Sequence, residues 1–207
     1  MVAGADSEEV EQTERRGGRW NPPSRCAHEA VAARRRIAAE ICALVADGES
    51  VLLDSGTTCL EGARLLREQP VTVMPLSLQA VHLPGETPGP ATLVVPGGQP
   101  RAAEGALTGS LTLASLAALR FDTATVGCCG LSAADGLTAY DLDDAAVKKA
   151  GIASARRVIA AADSSKLGRT ASAHVAPGNG RRSGLGFRLY AAGVGPTQDC
   201  INVHRCV

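Results

Sequence analysis

The sequence predicts an α/β fold: an open, doubly wound, mostly parallel sheet with helices on both faces. Its strand candidates are continuous apolar runs, such as residues 50–53 and 158–162, which are typical of strands buried on both faces. Segments with helical periodicity separate these runs, which indicates helical crossovers between parallel strands. Ligands of such sheets bind beyond the carboxyl ends of the strands, so the loops that follow the strands are the candidate sites.

The elements follow one another along the chain. A first helix begins near Glu29, where apolar residues take up helical spacing, and Asp47-Gly48 ends it before the strand at 50–53. Further helices are predicted at about 60–66, 105–119 and 143–155, and further strands at about 71–74, 91–95, 124–128 and 158–162.

Three segments are expected. Residues 1–28 form a flexible N-terminal tail or linker, because residues 1–25 combine charge, glycine and proline without apolar periodicity. Residues 29–177 form the folded domain. Residues 178–207 are rich in glycine and show no sustained period, so we expect an atypical C-terminal segment that is disordered or irregular and leaves an apolar sheet edge exposed.

Composition excludes several classes of protein. The 21 basic and 21 acidic residues balance, which removes any whole-chain argument for nucleic-acid binding. No apolar stretch is long enough to span a membrane and no targeting segment is recognisable, so we expect a cytoplasmic protein without a membrane partner. The seven cysteines show no C-x-x-C spacing, so we expect no disulfide framework, no metal site and no cofactor.

The loop after the first strand, residues 54–58 (the 54–58 loop), has the chemistry of an anion site. Gly56 lets the backbone turn tightly, and the backbone N–H groups, the helix N-terminus and the hydroxyls of Ser55, Thr57 and Thr58 are donors for phosphate oxygens. Alternatively, Thr57 or Thr58 only caps the next helix. Spacing alone leaves both interpretations open.

Three further groups of residues follow strands or share a helix face. Gly97-Gly98 allows close approach of a ligand, or simply makes a turn. In the segment Asp163-Ser164-Ser165-Lys166, the lysine offers a cation for a phosphate after a strand, or the segment is an N-capped helix start with a solvated lysine. Asp141, Asp144 and Lys148 share one helix face, with Asp144 and Lys148 spaced as an i,i+4 ion pair, and such triples are usually solvated surface.

In this order, the motifs resemble the C-terminal sensor domain of DeoR-family transcription regulators. The resemblance runs from about Arg34 to Pro177, and its most specific part is the 54–58 loop. The other matching residues are Ile37-Ala38, Asp47-Gly48, Val71-Thr72-Val73, Ser77, Gly97-Gly98, Gly109, Phe121-Asp122, Gly127, Gly130, Asp135-Gly136-Leu137-Thr138, Asp141, Lys148, and Asp163-Ser164-Ser165-Lys166-Leu167-Gly168-Arg169.

The resemblance implies a fold akin to ribose-5-phosphate isomerase, glucosamine-6-phosphate deaminase and CoA transferases, used as a sensor and not as an enzyme. The regulator would be a homo-oligomer that represses genes of carbohydrate metabolism by binding an operator. A phosphorylated sugar would change the oligomer and weaken operator binding. The implied ligand-binding residues are Asp54, Ser55, Gly56, Thr57, Thr58, Ser77, Gly97, Gly98, Asp141, Asp144, Lys148 and Lys166.

The chain departs from the family pattern in three places. Pro75-Leu76-Ser77 stands where the family has Thr-Asn-Ser, which removes an asparagine from the sugar site. No helix-turn-helix precedes the sensor, so we expect DNA contact only through that missing module. From Gly178 onward the family's closing Thr-Asp segment, helix and strand are not recognisable, which suggests a shifted reading frame or a decayed gene.

Two other functions compete with the sensor. An isomerase of the related fold would need a base, and Asp141 or Asp144 could serve. A DNA-binding protein would use a set of basic residues. This hypothesis rests on charge alone, and such basic runs are usually a solvated face. That set is Arg15, Arg16, Arg19, Arg25, Arg34, Arg35 and Arg36.

Overall fold

The computed structural model describes residues 23–83, 89–102, 104–177, 186–192 and 200–203. Its helices are α1 (Pro23–Cys42), α2 (Thr57–Leu66), α3 (Leu78–Val81), α4 (Ser110–Ala118) and α5 (Leu142–Ala153), and a 3-10 turn spans Ser164–Lys166. Its strands are β1 (Ser50–Leu53), β2 (Thr72–Pro75), β3 (Thr92–Leu93), β4 (Gln99–Pro100), β5 (Leu107–Thr108), β6 (Phe121–Gly127), β7 (Gly130–Ser132), β8 (Gly136–Ala139), β9 (Ala155–Asp163), β10 (Ala173–Ala176), β11 (Gly186–Ala192) and β12 (Cys200–Val203).

In the described part of the chain, the main sheet has seven strands in the order β12-β11-β9-β6-β1-β2-β3. Every neighbouring pair is parallel except β11 and β12, which pair antiparallel. Two small antiparallel sheets, β10-β8-β7 and β4-β5, lie beside it. The predicted α/β class and its open, mostly parallel sheet are confirmed.

Helices cover the main sheet on both faces, which explains why its strands are continuous apolar runs. Leu52 of β1 and Val158 of β9 pack in one cluster with Leu116 of α4 and Val147 of α5. The next residue along each strand points to the other face. There Leu53 packs against Ala63 and Leu66 of α2, and Ile159 packs against Ile37 and Ile41 of α1.

Most predicted elements form within a few residues of their expected positions, and β1 has the predicted bounds. The helix expected at 105–119 is shorter, because β5 occupies 107–108 and Gly109, with φ of 92°, turns the chain into α4 at Ser110. The strand expected at 91–95 is reduced to Thr92–Leu93. Helix α1 begins at Pro23, inside the expected tail, at a residue type that suits the first turn of a helix.

The expectation of irregular coil after Pro177 is wrong for residues 186–192 and 200–203. β11 pairs in parallel with β9 from Gly186 opposite Arg157 to Ala192 opposite Asp163, and β12 returns antiparallel along β11. The pairing uses backbone N–H and C=O groups, which the exposed edge of β9 would otherwise leave unpaired. Strand addition of this kind does not require hydrophobic periodicity. The rest of 178–207 and residues 1–22 lie outside the described residues.

No helix in the described residues combines the length and apolar character that a bilayer crossing requires.

Gly97-Gly98 lies against the start of α4, and this packing explains the need for glycine. The hydroxyl of Thr112 donates to the Gly97 carbonyl oxygen at 2.9 Å. Gly98 has a φ of 140°, and a Cβ at this position would lie 2.0 Å from Thr112 Oγ1 and 2.9 Å from the Thr108 carbonyl oxygen. Both the backbone conformation and the space therefore exclude a side chain at Gly98.

We predict that Gly98→Ala lowers the free energy of unfolding by about 2–4 kcal/mol, since strain at positive φ and overpacking add. Gly48→Ala is the matched control: Gly48 also has positive φ, 83°, but a Cβ there meets nothing within 4 Å. The control should lose only about 1–2 kcal/mol. Urea denaturation measures both values, and equal losses would contradict the packing explanation.

Candidate functional site

A cleft of about 200 Å³ opens at the carboxyl ends of β1, β6 and β9. This is the position where ligands bind in open parallel sheets. The elements that border it are the 54–58 loop, the end of β6, helix α5 and the turn after β9. The lining residues are Arg34, Ser55, Gly56, Thr57, Thr58, Cys59, Glu104, Gly127, Cys128, Cys129, Asp144, Lys148, Ala161, Ala162, Asp163 and Lys166.

The 54–58 loop presents the beginning of α2 to the cleft. Gly56, with φ of 112°, is the N-cap residue, and no side chain caps the helix. The first intrahelical bond runs from the Leu60 N–H to the Gly56 carbonyl oxygen at 2.9 Å, so the N–H groups of the first turn remain available. The alternative that Thr57 or Thr58 caps this helix is therefore wrong. Four residues of the loop, 55–58, line the cleft.

A buried ion cluster lies directly behind the loop. Lys148 Nζ donates to Asp54 Oδ2 and lies 3.3 Å from Asp144 Oδ1. Asp54 Oδ2 also accepts the Gly127 N–H at 2.8 Å. The Lys148 and Asp54 side chains are only 4% and 3% exposed. Asp144 and Lys148 therefore do form the expected i,i+4 pair, but the pair is buried and is not solvated surface.

The cluster shifts the pKa values of Lys148 and Asp144. Burial lowers the pKa of Lys148, but the carboxylates of Asp54 and Asp144 outweigh it and raise that pKa, so the ammonium stays charged. Burial raises the pKa of Asp144 above its ordinary value, and Lys148 offsets this only in part. One cation thus faces two carboxylates, and Asp144 is the carboxylate whose charge the site disfavours.

The turn after β9 brings a second lysine to the cleft. The Asp163 carboxylate accepts the Ser165 N–H at 2.9 Å and so begins the 3-10 turn that carries Lys166. Lys166 lines the cleft and forms no ion pair with any residue that the structure describes. Its position matches the expectation of a cation beyond the end of a strand.

Five of the residues expected to bind ligand do not line the cleft, and Asp54 is one of them. Ser77 is buried as the N-cap of α3 and accepts the Ala80 N–H at 3.2 Å. Gly97 and Gly98 pack against α4, as described above. Asp141 caps α5 by accepting the Asp144 N–H at 2.8 Å and pairs with Arg101 at 3.6 Å. The structure brings together Ser55, Gly56, Thr57, Thr58, Asp144, Lys148 and Lys166, with Asp54 behind them.

Sequence reasoning missed several residues of the cleft. The sequence indicates Arg34 only as part of a basic run. Its i,i+3 and i,i+7 spacing to Ile37 and Ile41, however, places it beside the buried face of α1, and it lines the cleft. Cys128 and Cys129 belong to the loop Gly127-Cys128-Cys129-Gly130, whose glycines predict close approach of a ligand, but their side chains are predicted only as buried small hydrophobes. Burial raises the pKa of the Cys128 thiol to about 12. No local pattern signalled Glu104, which lies on a different loop.

The chain is similar to curated transcription regulators. It is 33% identical over 135 residues to a putative sgc region transcriptional regulator of Escherichia coli strain K12, covering 65% of this chain and 52% of that protein. It is 31% identical over 139 residues to the glycerol-3-phosphate regulon repressor of Haemophilus influenzae, covering 67% and 54%. The chain therefore spans about half the length of these relatives.

Among solved structures, ribose 5-phosphate isomerase A of Methanocaldococcus jannaschii is similar, with a TM-score of 0.47 and 21% identity over 66% of this chain and 54% of that one. The family model of the DeoR C-terminal sensor domain matches residues 29–180. This confirms the resemblance of the sequence motifs and covers most of the chain. The chain belongs to the DeoR C-terminal sensor domain family.

Proposed function

We propose that this chain is the effector-binding region of a DeoR-type transcription regulator and that its cleft binds a phosphorylated sugar. The observation that carries the proposal is the uncapped start of α2, whose free N–H groups line the same cleft as Lys166. Backbone donors, hydroxyls and a cation converging on one point suit a phosphate group. The family membership and a relative named as a glycerol-3-phosphate regulon repressor support it.

The rest of the cleft suits the sugar. Asp144 and Glu104 line it, and carboxylate oxygens accept hydrogen bonds from hydroxyl groups. Lys148 and Asp54 hold Asp144 and the 54–58 loop in place, so the donors for phosphate and the acceptors for hydroxyls are fixed relative to each other. A compact ligand with an anionic end and a hydroxylated end matches this arrangement.

An isomerase has less support. Asp141, one of the two candidate bases, caps α5 and pairs with Arg101. Asp144, the other, is engaged by Lys148. The curated relatives are named as regulators and repressors of transcription. We assign no catalytic residue.

We propose further that the regulator is a cytoplasmic homo-oligomer and that it contacts DNA through a helix-turn-helix outside residues 29–180. The balanced charge of the chain agrees with DNA binding by a separate module, because binding to the DNA backbone requires a basic surface.

The first test is ligand binding. We predict that a phosphorylated sugar raises the melting temperature, since a ligand at about a hundred times its Kd adds about 2.7 kcal/mol of stability, whereas the free sugar does not. Differential scanning fluorimetry with a panel including glycerol 3-phosphate, glucose 6-phosphate and fructose 1-phosphate measures the shift. A panel without any shift, or equal shifts with free sugars, would remove the proposal.

The second test assigns the phosphate to the 54–58 loop. The double variant Thr57→Ala/Thr58→Ala should abolish the shift while the unliganded melting temperature stays within a few degrees. Ser110→Ala is the matched control. Helix α4 also has a glycine, Gly109, as its N-cap and no side-chain cap, but it does not line the cleft. Normal binding by the double variant would sink the loop assignment.

The third test concerns the buried cluster. Lys148→Met leaves two carboxylates buried without their cation, so we predict a loss of about 3–5 kcal/mol in the free energy of unfolding and loss of phosphate binding. Asp144→Asn keeps the Asp54–Lys148 pair and removes only the carboxylate with the raised pKa, so its stability at pH 7 should be close to that of wild type.

The difference in free energy of unfolding between wild type and Asp144→Asn should change with pH in a definite direction. Because the pKa of Asp144 is raised on folding, its ionisation costs stability as pH rises from the unfolded value of 3.8 through the raised folded value. Wild type should therefore lose stability relative to Asp144→Asn as pH increases through that window. Urea titrations at several pH values measure the difference, and the opposite slope would contradict the role of burial.

A further inference from the structure

Arg34 is the charged residue of the described cleft that has been given no role so far. It lies on α1, which packs across β9 through Ala33, Ile37 and Ile159. There its half-buried side chain lines the same cleft as residues of the 54–58 loop. Helix α1 thus contributes one residue to a site that is otherwise built at the ends of the strands and by the helices and loops that follow them.

The three consecutive arginines of α1 differ in their surroundings. Arg35 is exposed, and its Nε lies 3.5 Å from Glu61 Oε2 on α2. Arg36 has a partner of its own. Within the described part of the chain, the Arg34 guanidinium has neither a hydrogen bond nor an ion pair. A half-buried guanidinium that keeps its charge gains most from a ligand that pairs with it.

The other charges of the cleft leave Arg34 available for an anion. Lys148 is occupied by Asp54 and Asp144, and Asp163 accepts hydrogen bonds from Ser165. Glu104 lies 3.5 Å from Arg101. Arg34 and Lys166 are therefore the cations of the described cleft that no carboxylate neutralises. Both line the same cleft as Ala161 and Ala162 at the end of β9.

We propose that Arg34 binds the anionic group of the effector together with the 54–58 loop, and that this contact ties helix α1 to the occupied cleft. The inference rests on the proposed function, since it requires that the cleft bind a phosphorylated ligand. A guanidinium offers a planar pair of donors to phosphate oxygens, and charge-assisted hydrogen bonds of this kind are among the strong ones. Helix α1 is then less mobile when the cleft is occupied than when it is empty.

The experiment uses the full chain with inorganic phosphate and glucose 6-phosphate as probes, measured by titration calorimetry. Arg34→Gln should weaken both by about tenfold to hundredfold, as expected for a lost charged hydrogen bond. Arg34→Lys should lie between, because it keeps the charge and loses the planar donor pair. Arg35→Gln removes the same charge from the neighbouring residue and should bind like wild type.

Hydrogen exchange provides the second readout. Either probe, at saturation, should slow amide exchange around Arg34 in wild type and in Arg35→Gln, but not in Arg34→Gln at equal occupancy. Wild-type affinity in Arg34→Gln, or unchanged α1 exchange in saturated wild type, overturns the inference and leaves the proposed function standing. Failure of wild type to bind either probe or any sugar phosphate overturns the proposed function itself. If the unliganded Arg34→Gln variant melts far below wild type, the Arg34→Lys variant replaces it. Wild-type affinity for both probes in Arg34→Lys would then overturn the inference.

Discussion

The contact between Lys148 and Asp54 is the interaction on which the site depends. Asp54 directly follows β1, Lys148 lies on α5, and the same Asp54 oxygen accepts the Gly127 N–H at the end of β6. Three elements far apart in sequence therefore meet at one carboxylate. Because both side chains are buried, the charge on each requires the other, and the geometry around them tolerates little change. The 54–58 loop takes its position from this anchor.

The packing of the main sheet also holds the strand ends around the cleft in place. Alternate residues of β1 and β9 serve opposite helical layers, so the strand ends cannot shift without disturbing both cores. The small glycines and alanines at these ends, such as Gly127, Ala161 and Ala162, leave the room that becomes the cleft. A rigid sheet, a loop with free N–H groups and cations from α1 and the turn after β9 together form a surface suited to an anion.

The sequence was sufficient for the parts of the fold that follow local rules. The apolar run at Ser50–Leu53 predicted β1, and the spacing of Asp144 and Lys148 predicted their pairing. The burial of that pair was not predictable, because it depends on Asp54, 94 residues away. Gly97-Gly98 looked like a ligand loop but contacts Thr112, and β11 forms because β9 offers an edge. In each case a contact distant in sequence decided the outcome.

The edges of the main sheet have a consequence for how copies of the chain can associate. At one edge β3 has two residues, and at the other β12 has four and runs against the direction of its neighbour. Long, flat edges are templates for adding strands from another molecule without limit, and short ones are not. Growth into a continuous intermolecular sheet is thereby disfavoured. A closed oligomer of this fold would instead have to form through its helices and loops, where side chains set the partner and the number of copies.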